Sequence, residues 1–295
     1  MSETRKLLRI KVAPKGMGLN DFVAQEEGYF VDEGLEVEFD WNTFRGTQSS
    51  WKGMEYFQRP QDRAASEEII QGACLWGTIS NASAGMGQIV ADCHGVSPWA
   101  IFVRRDSRIH GAEDLKDVPV AVGIRAGSHF NVPYQLEKYL PLQLIKTVNV
   151  GGFGVRLQAL LEGEVEAASL LPPQIDMARD LGLREIIAAE FKTLWWVPVS
   201  APAAGVTGYL RALDRAERAL QAELPKYLPL WRYSIPPEFQ NREWNLTRFT
   251  RGERFVYQPL AREEFQEVLG MVERWGLDQY LKDRNFENLV YRTGA

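Results

Sequence analysis

The sequence predicts an α/β protein of two lobes joined by two hinge strands, with a ligand cleft between the lobes. Three observations carry that prediction. Apolar and β-branched runs alternate with amphipathic stretches, as strands linked by crossover helices do. The alternation falls into two blocks, residues 7–101 and 118–200, separated by one extended crossing and closed by a second near Ala201 to Val206. At 295 residues the chain can bury the core such an arrangement needs. The expected division is a first lobe begun by residues 1–103, a second lobe of residues 104–200, and a return to the first lobe with C-terminal helices over residues 201–295.

Residues 7–13, LLRIKVA, read as the first strand. Phe22 and Val23 through Tyr29 and Phe30 give a short helix with one apolar face, interrupted at Gly28. Gly34 supplies the φ > 0 position that ends a helix at low cost. Leu35, Val37 and Phe39 then alternate with Glu36, Glu38 and Asp40 as a strand. Residues 41–63 form a polar insertion carrying Arg45, Lys52, Arg59 and Arg63. Its Trp51, Tyr56 and Phe57 argue for order, since disordered segments are poor in aromatics. A helix over residues 64–71, a buried strand ACLWGTI over 73–79, a helix-like stretch over 81–89 and a strand over 96–105 complete the first block.

A turn and short helix at residues 111–115 lead into the strand VPVAVGI, 118–124, the loop RAGSHF, 125–130, and a helix over 131–140. A strand at 144–150, a helix at 155–163 and a strand at 165–170 follow. A further strand spans 195–206, and amphipathic helices over 209–227 and 263–277 turn their apolar faces to the core.

The net charge of −5 leaves no basic footprint, which excludes nucleic acid as a partner. No apolar run approaches the roughly 18 residues that span a bilayer, so no membrane insertion is expected. The first residues, MSETRKLLRIKV, contain no apolar h-region of about 7–15 residues and no small-residue cleavage site. A cytoplasmic chain is therefore expected, or a periplasmic one if a leader has been removed. Cys74 and Cys93 are too few for a disulfide framework, and no Cys/His spacing suits zinc. Free buried thiols, no metal and no cofactor are expected.

GYFVDEGLEVEF, then GACLWGTIS, then FVRRDSRIHGAEDLKDVPVAVGIRAGSHF, then LEGEVEAASLLPP occur in a characteristic order. Together they resemble the SsuA/NMT1/THI5-like group of type II periplasmic-binding-protein folds, over residues 7–206 and more weakly over 263–289. That group includes solute-binding components of ABC importers and cytosolic enzymes, among them an aromatic sulfinate desulfinase and a pyrimidine synthase. The resemblance implies ligand contacts at the C-terminal ends of strands: the Pro14-to-Asn20 turn with Lys15 and Asn20, the Trp76-to-Ser83 stretch, the Gly127-to-Asn131 stretch, and Leu171 with the prolines after it.

The residues support their own site reading. In RAGSHF, Gly127 permits a tight turn and Ser128 is an N-cap type before a helix, whose free N–H groups favour an anion. Arg125 could hold a carboxylate or sulfonate bidentately, and His129 could hydrogen-bond the ligand or move a proton. Trp76 could stack on a planar ligand, with Thr78, Ser80 and Asn81 as hydrogen-bonding groups. Cys93 and His94 are adjacent on a strand, so they point to opposite faces and do not pair. The residue 41–63 insertion departs from the transport-type pattern and resembles the desulfinase, with Arg59 as the counterpart of a catalytic Arg. No His precedes Cys93, however, and the Pro14-to-Gly18 turn directly after the first strand holds no Cys, while the Cys-rich motif of the pyrimidine synthase is missing.

Two functions are consistent with this. The first is binding of a small organic anion, an aromatic carboxylate, a sulfonate or a pyrimidine-like molecule, with an ABC permease as partner if the chain is exported. The second is a cytosolic decarboxylase, desulfinase-like lyase or hydrolase of an aromatic acid. In the second, Arg59 and Arg125 would clamp the acid group while His129 or Ser128 handled the proton.

Overall fold

The computed structural model describes residues 6–54, 58–64 and 67–292; Tyr56 and Phe57 of the insertion lie outside the described residues. Strand β1 (Leu8–Val12) leads to helices α1 (Asn20–Glu26) and α2 (Tyr29–Asp32) and strand β2 (Leu35–Phe39). Gly28 at φ 73° breaks the two helices apart and Gly34 at φ 80° ends the second, the left-handed conformations that glycine adopts without a Cβ clash. Next come α3 (Trp41–Gly46), α4 (Pro60–Ala64), β3 (Ile69–Cys74), α5 (Leu75–Ser83) and the long β4 (Gln88–Val103). The second lobe runs β5 (Pro119–Val122), α6 (Gly127–Leu136), β6 (Lys146–Asn149), α7 (Phe153–Glu162), β7 (Ala167–Leu170) and α8 (Gln174–Asp180). Strand β8 (Arg184–Val197) returns to the first lobe, followed by α9 (Ala203–Tyr227), β9 (Arg254–Val256), α10 (Arg262–Arg274), α11 (Phe286–Leu289) and β10 (Val290–Tyr291).

The strands lie in the order β2-β1-β3-β8-β4-β7-β5-β6, with β9 and β10 paired to β4. β1 pairs parallel with β2, Leu8 opposite Leu35, and β5 pairs parallel with β6, Pro119 opposite Lys146. Between these two parallel ends run β4 and β8, antiparallel from Gln88 opposite Val197 to Val103 opposite Arg184. The end of β8 at Thr193 to Trp196 pairs with β3, and the end of β4 at Ala100 to Val103 pairs with β7. β4 and β8 are thus the two strands that cross between lobes. Ala100 and Phe102 pack into one core cluster while Trp99, Ile101 and Val103 pack into another, so alternate residues bury both faces of the sheet.

Several expected elements are corrected. The helix placed at residues 64–71 ends at Ala64 as α4, and Ile69 already begins β3. ACLWGTI is a strand only as far as Cys74. From Leu75 the chain is helical, with the Cys74 thiol accepting the Gly77 N–H at 3.2 Å as an N-cap. Every residue of α5 is buried, and a short apolar run buried all round carries no period that separates helix from strand. That helix displaces the one expected over residues 81–89. The strand placed at residues 195–206 is the end of β8, and residues 203–227 are helix. The return crossing therefore lies within β8, ahead of the Ala201 to Val206 position. Helix α6 starts at Gly127, four residues earlier than expected, with Ala126 as its N-cap in place of Ser128.

Candidate ligand-binding site

A cavity of about 50 Å³ lies at the C-terminal edges of strands from both lobes. It is lined from the first lobe by Ala13, Pro14, Lys15, Gln71 and Cys74, and from the second by Gly127, Phe153 and Leu171. Thr43, Thr47, Trp51, Arg59 and Gln61 of the insertion also line it, with Phe191 and Trp196 of the crossing strand β8. Four aromatic walls make the interior largely apolar.

The insertion is tied to the second lobe beside the cavity. Trp51 N–H donates to Val150 at 3.2 Å, Gly152 N–H to Ser49 at 2.7 Å, and Asn149 Nδ2 to the Trp51 carbonyl at 2.8 Å. Ser50 and Gly151 form an antiparallel bridge. Gly151 stands at φ 127°, and a Cβ there would lie 2.4 Å from the Trp51 nitrogen, so only glycine lets the two backbones meet.

A buried ion cluster adds a second tie between lobes. Arg59 donates through Nε and Nη2 to the two Asp62 oxygens at 3.1 and 2.8 Å, and through Nη1 to the Arg125 carbonyl at 3.0 Å. Arg125 Nη1 reaches Asp62 Oδ1 at 3.3 Å. Burial alone would raise the Asp62 carboxyl, but the charge and hydrogen bonds of Arg59 and then the charge of Arg125 outweigh it and hold it below the usual carboxylate range. Arg125 itself sits at φ 54°, a left-handed conformation that costs a non-glycine residue, which aims its carbonyl at Arg59.

Lys15 and its partners form the floor on the first-lobe side. Its Nζ donates to Thr193 Oγ1 at 2.7 Å and to Glu253 Oε1 at 2.8 Å, and lies 3.2 Å from the Trp195 ring centroid. Burial lowers the Lys15 pKa, against the opposing pull of the Glu253 charge and hydrogen bond. A Cβ at residue 72 would lie 2.1 Å from Lys15 Cε, so Gly72 makes room for this side chain. Beside it Asp21 accepts from the Tyr209 hydroxyl at 2.6 Å, and burial raises its carboxyl to about 6.

Among the sequence-predicted residues, Lys15, Arg59, Gly127 and Leu171 meet at the cavity. Asn20 instead faces α9, donating to Glu217 at 3.1 Å. Trp76, Thr78, Ser80 and Asn81 are buried within α5, where Trp76 packs on Phe130, Tyr134, Phe191 and Trp275. Ser128 accepts the Gly123 N–H at 2.9 Å and braces the turn. His129 Nδ1 accepts the Arg125 N–H at 3.0 Å, which places the ring proton on Nε2. Burial, and then the charges of Arg59 and Arg125, lower His129 to about 4, so it is neutral at neutral pH. None of these residues lines the cavity. Sequence reasoning passed over Thr43, Gln71, Phe153, Phe191 and Trp196; Phe191 lies on the part of β8 that the sequence had not traced, while Trp196 lies in the strand placed at residues 195–206.

These two titrating groups act against each other between pH 4 and 6.5. Asp21 has a folded pKa above its unfolded value of about 3.9, so its contribution is present below pH ~4 and lost as pH rises through about 6. His129 has a folded pKa below its unfolded value of about 6.5, so its contribution is lost as pH falls toward about 4. Unfolding by urea at pH 4.5 and 7 should therefore show Asp21→Asn gaining stability on the wild type at pH 7. His129→Gln should instead gain on it at pH 4.5. Parallel pH profiles for all three proteins would refute both assignments.

No protein-family model matches the sequence, and no curated protein sequence matches it. The fold, by contrast, is shared with solved structures along nearly its whole length. The chain has the periplasmic-binding-protein fold in the form adopted by sulfonate-binding SsuA proteins and by a desulfurization enzyme, as the sequence resemblance implied. The alkanesulfonate-binding protein SsuA of Xanthomonas axonopodis pv. citri, bound to MOPS, superposes with a TM-score of 0.69 at 14% identity, covering 99% of this chain and 100% of that one. A Candida albicans gene product described as having the generic periplasmic binding protein fold gives 0.67 at 14%, covering 97% and 96%. The desulfurization enzyme DszB gives 0.57 at 13%, covering 96% of each chain. At such identities the likeness is one of fold.

Proposed function

We propose that the chain binds a small organic anion with an apolar body in the cleft between its lobes. The observation that carries this reading is the cavity itself, walled from both lobes by Trp51, Phe153, Phe191 and Trp196, with the N-terminal residue of α6 at its edge. Cationic groups stand beside the cavity: Lys15, paired with Glu253, and Arg59 and Arg125, which meet at Asp62. Two neighbours in fold are named for binding alkanesulfonates and aliphatic sulphonates, which agrees with this chemistry.

The binding reading is favoured over the enzymatic one by the state of the reactive groups. The Cys74 thiol at the cavity is pushed up to about 12 by burial, far from a thiolate. The Arg59 guanidinium is committed to Asp62 and two carbonyls, and His129 to the Arg125 backbone. A thermal-shift screen with aromatic carboxylates, alkyl and aryl sulfonates and pyrimidines, each beside a neutral isostere, tests the proposal. At least one anion should raise the melting temperature saturably while its isostere does not. Equal shifts by anion and isostere, or no shift by any anion, would sink it. Mass spectrometry of each hit after incubation should recover it unchanged, and a new product would instead revive the enzymatic reading.

A further inference from the structure

Arg156 plays no part in anything described above, yet it is a wholly buried cation. It lies in the second turn of α7, and its Nε donates to the Gly152 carbonyl at 3.3 Å, which draws the guanidinium back to the start of the helix. Nη1 and Nη2 have no hydrogen-bond partner, and among the described residues no carboxylate stands at ion-pair distance. Lys15, Arg59 and Arg125, the other buried cations near the cavity, each have a carboxylate. Water could satisfy the Arg156 N–H groups. It could not replace a counter-charge, and a bare buried charge costs far more than a missing hydrogen bond. Burial lowers its pKa to about 9, which still leaves it charged at neutral pH.

Its position points at the cleft. The guanidinium carbon lies 5.4 Å from the centroid of the Phe153 ring, and that ring lines the cavity. Helix α8 packs against α7, and its first residue, Gln174, follows three positions after the cavity-lining Leu171. Gln174 is also fully buried, with neither Nε2 nor Oε1 hydrogen-bonded. One charged fork and one amide are thus left unsatisfied on two helices that pack together, each helix starting at or just after a cavity-lining residue.

We propose that Arg156 is the counter-charge of the ligand's anionic group, a singly charged carboxylate or sulfonate that docks at the start of α7 when Phe153 turns aside, with Gln174 as its second polar contact. This rests on the small-anion reading above and adds the residue that selects charge. The planar guanidinium matches two oxygens of such a group, and the positive end of the α7 dipole favours the same sign. It also reassigns the role that the sequence gave to Arg125, whose charge Asp62 already meets.

Titration calorimetry with benzenesulfonate and benzoate, and with neutral benzamide as control, tests this on the wild type, Arg156→Met and Gln174→Leu. Arg156→Met should weaken both anions roughly 30-fold or more, leave benzamide unchanged, and raise the melting temperature of the free protein. Gln174→Leu should weaken the anions severalfold. Anion affinity equal in the wild type and Arg156→Met would overturn the Arg156 assignment and leave the small-anion reading standing. A free Arg156→Met protein that melts below the wild type would also overturn it, because the charge would then be satisfied without ligand. Failure of both anions to bind the wild type would overturn the assignment of Arg156 to a carboxylate or sulfonate, and the broader screen above would decide the small-anion reading separately.

Discussion

Replacing Asp62 with asparagine should lower the unfolding free energy by about 3–5 kcal/mol, the usual cost of removing one partner from a buried ion cluster. The carboxylate is nearly inaccessible and sits between two guanidinium groups, Arg59 at 2.8 Å and Arg125 at 3.3 Å. Asparagine keeps the shape and can accept from one of them, but the two guanidinium groups then face each other without the carboxylate between them. The damage should also be directional. Arg59 and Asp62 belong to the insertion, while Arg125 belongs to the second lobe, so the repulsion acts across the cleft. Small-angle scattering should show a larger radius of gyration for the variant, and urea denaturation should show the loss of stability. Because the Asp62 carboxyl titrates below the usual range, its contribution is present above pH ~4 and is lost as pH falls through the folded pKa. The wild type and variant should therefore converge in strong acid. A stability loss below about 1 kcal/mol at pH 7, the scale of an exposed pair, would show that the cluster does not hold the lobes.

The second large effect is expected at Lys15 and Glu253. Their ion pair at 2.8 Å is nearly inaccessible from both sides. Lys15→Met should leave the Glu253 carboxylate buried without a cation and cost about 3–5 kcal/mol. Glu253→Gln should cost a similar amount, because the ammonium then keeps only the Thr193 hydroxyl and the face of Trp195. Combining Lys15→Met with Glu253→Gln should recover much of the loss, since a buried pair exchanged for neutral groups is often near neutral overall. The coupling read from the double-mutant cycle is the decisive quantity. Additive single effects would mean that the two residues act separately and that the pairing distance carries no energy. Since Lys15 also lines the cavity, the same variants report whether this floor is needed for ligand binding.

The interlobe ties bear on how the cleft works. Opening it requires breaking the Ser50–Gly151 bridge, the backbone bonds beside it and the Arg59–Asp62–Arg125 cluster. The apolar walls of the cavity strengthen any charge interaction inside it. On one side of the cleft the residues responsible for the ties lie in the segment over residues 41–63.

Much of the fold was legible because its signals are local. Gly28 and Gly34 mark breaks that only a left-handed residue makes cheaply, and the alternation from Leu35 to Asp40 has the period of a half-exposed strand. The alternation of strands and helices in the second lobe likewise follows from periodicity within a few residues. Where burial was complete on all sides, periodicity vanished, and so α5 read as a strand. The first half of β8 is only partly buried and still went untraced; the fully buried end from Trp195 is the part the sequence placed as a strand.

The site was legible only as far as the loops that would reach it, which brought in Lys15, Arg59, Gly127 and Leu171. What the residues do there was decided by partners far away in sequence. Arg125 finds its carboxylate 63 residues back and Lys15 finds its own 238 residues on. Arg156, inside an ordinary amphipathic helix, finds none among the described residues. Residue type and spacing by themselves determined which groups carry charge and which backbone turns are possible. Only the tertiary structure determined which charges are neutralised, because an electrostatic partner is fixed by distance through space and by burial, and neither is written in the neighbouring residues.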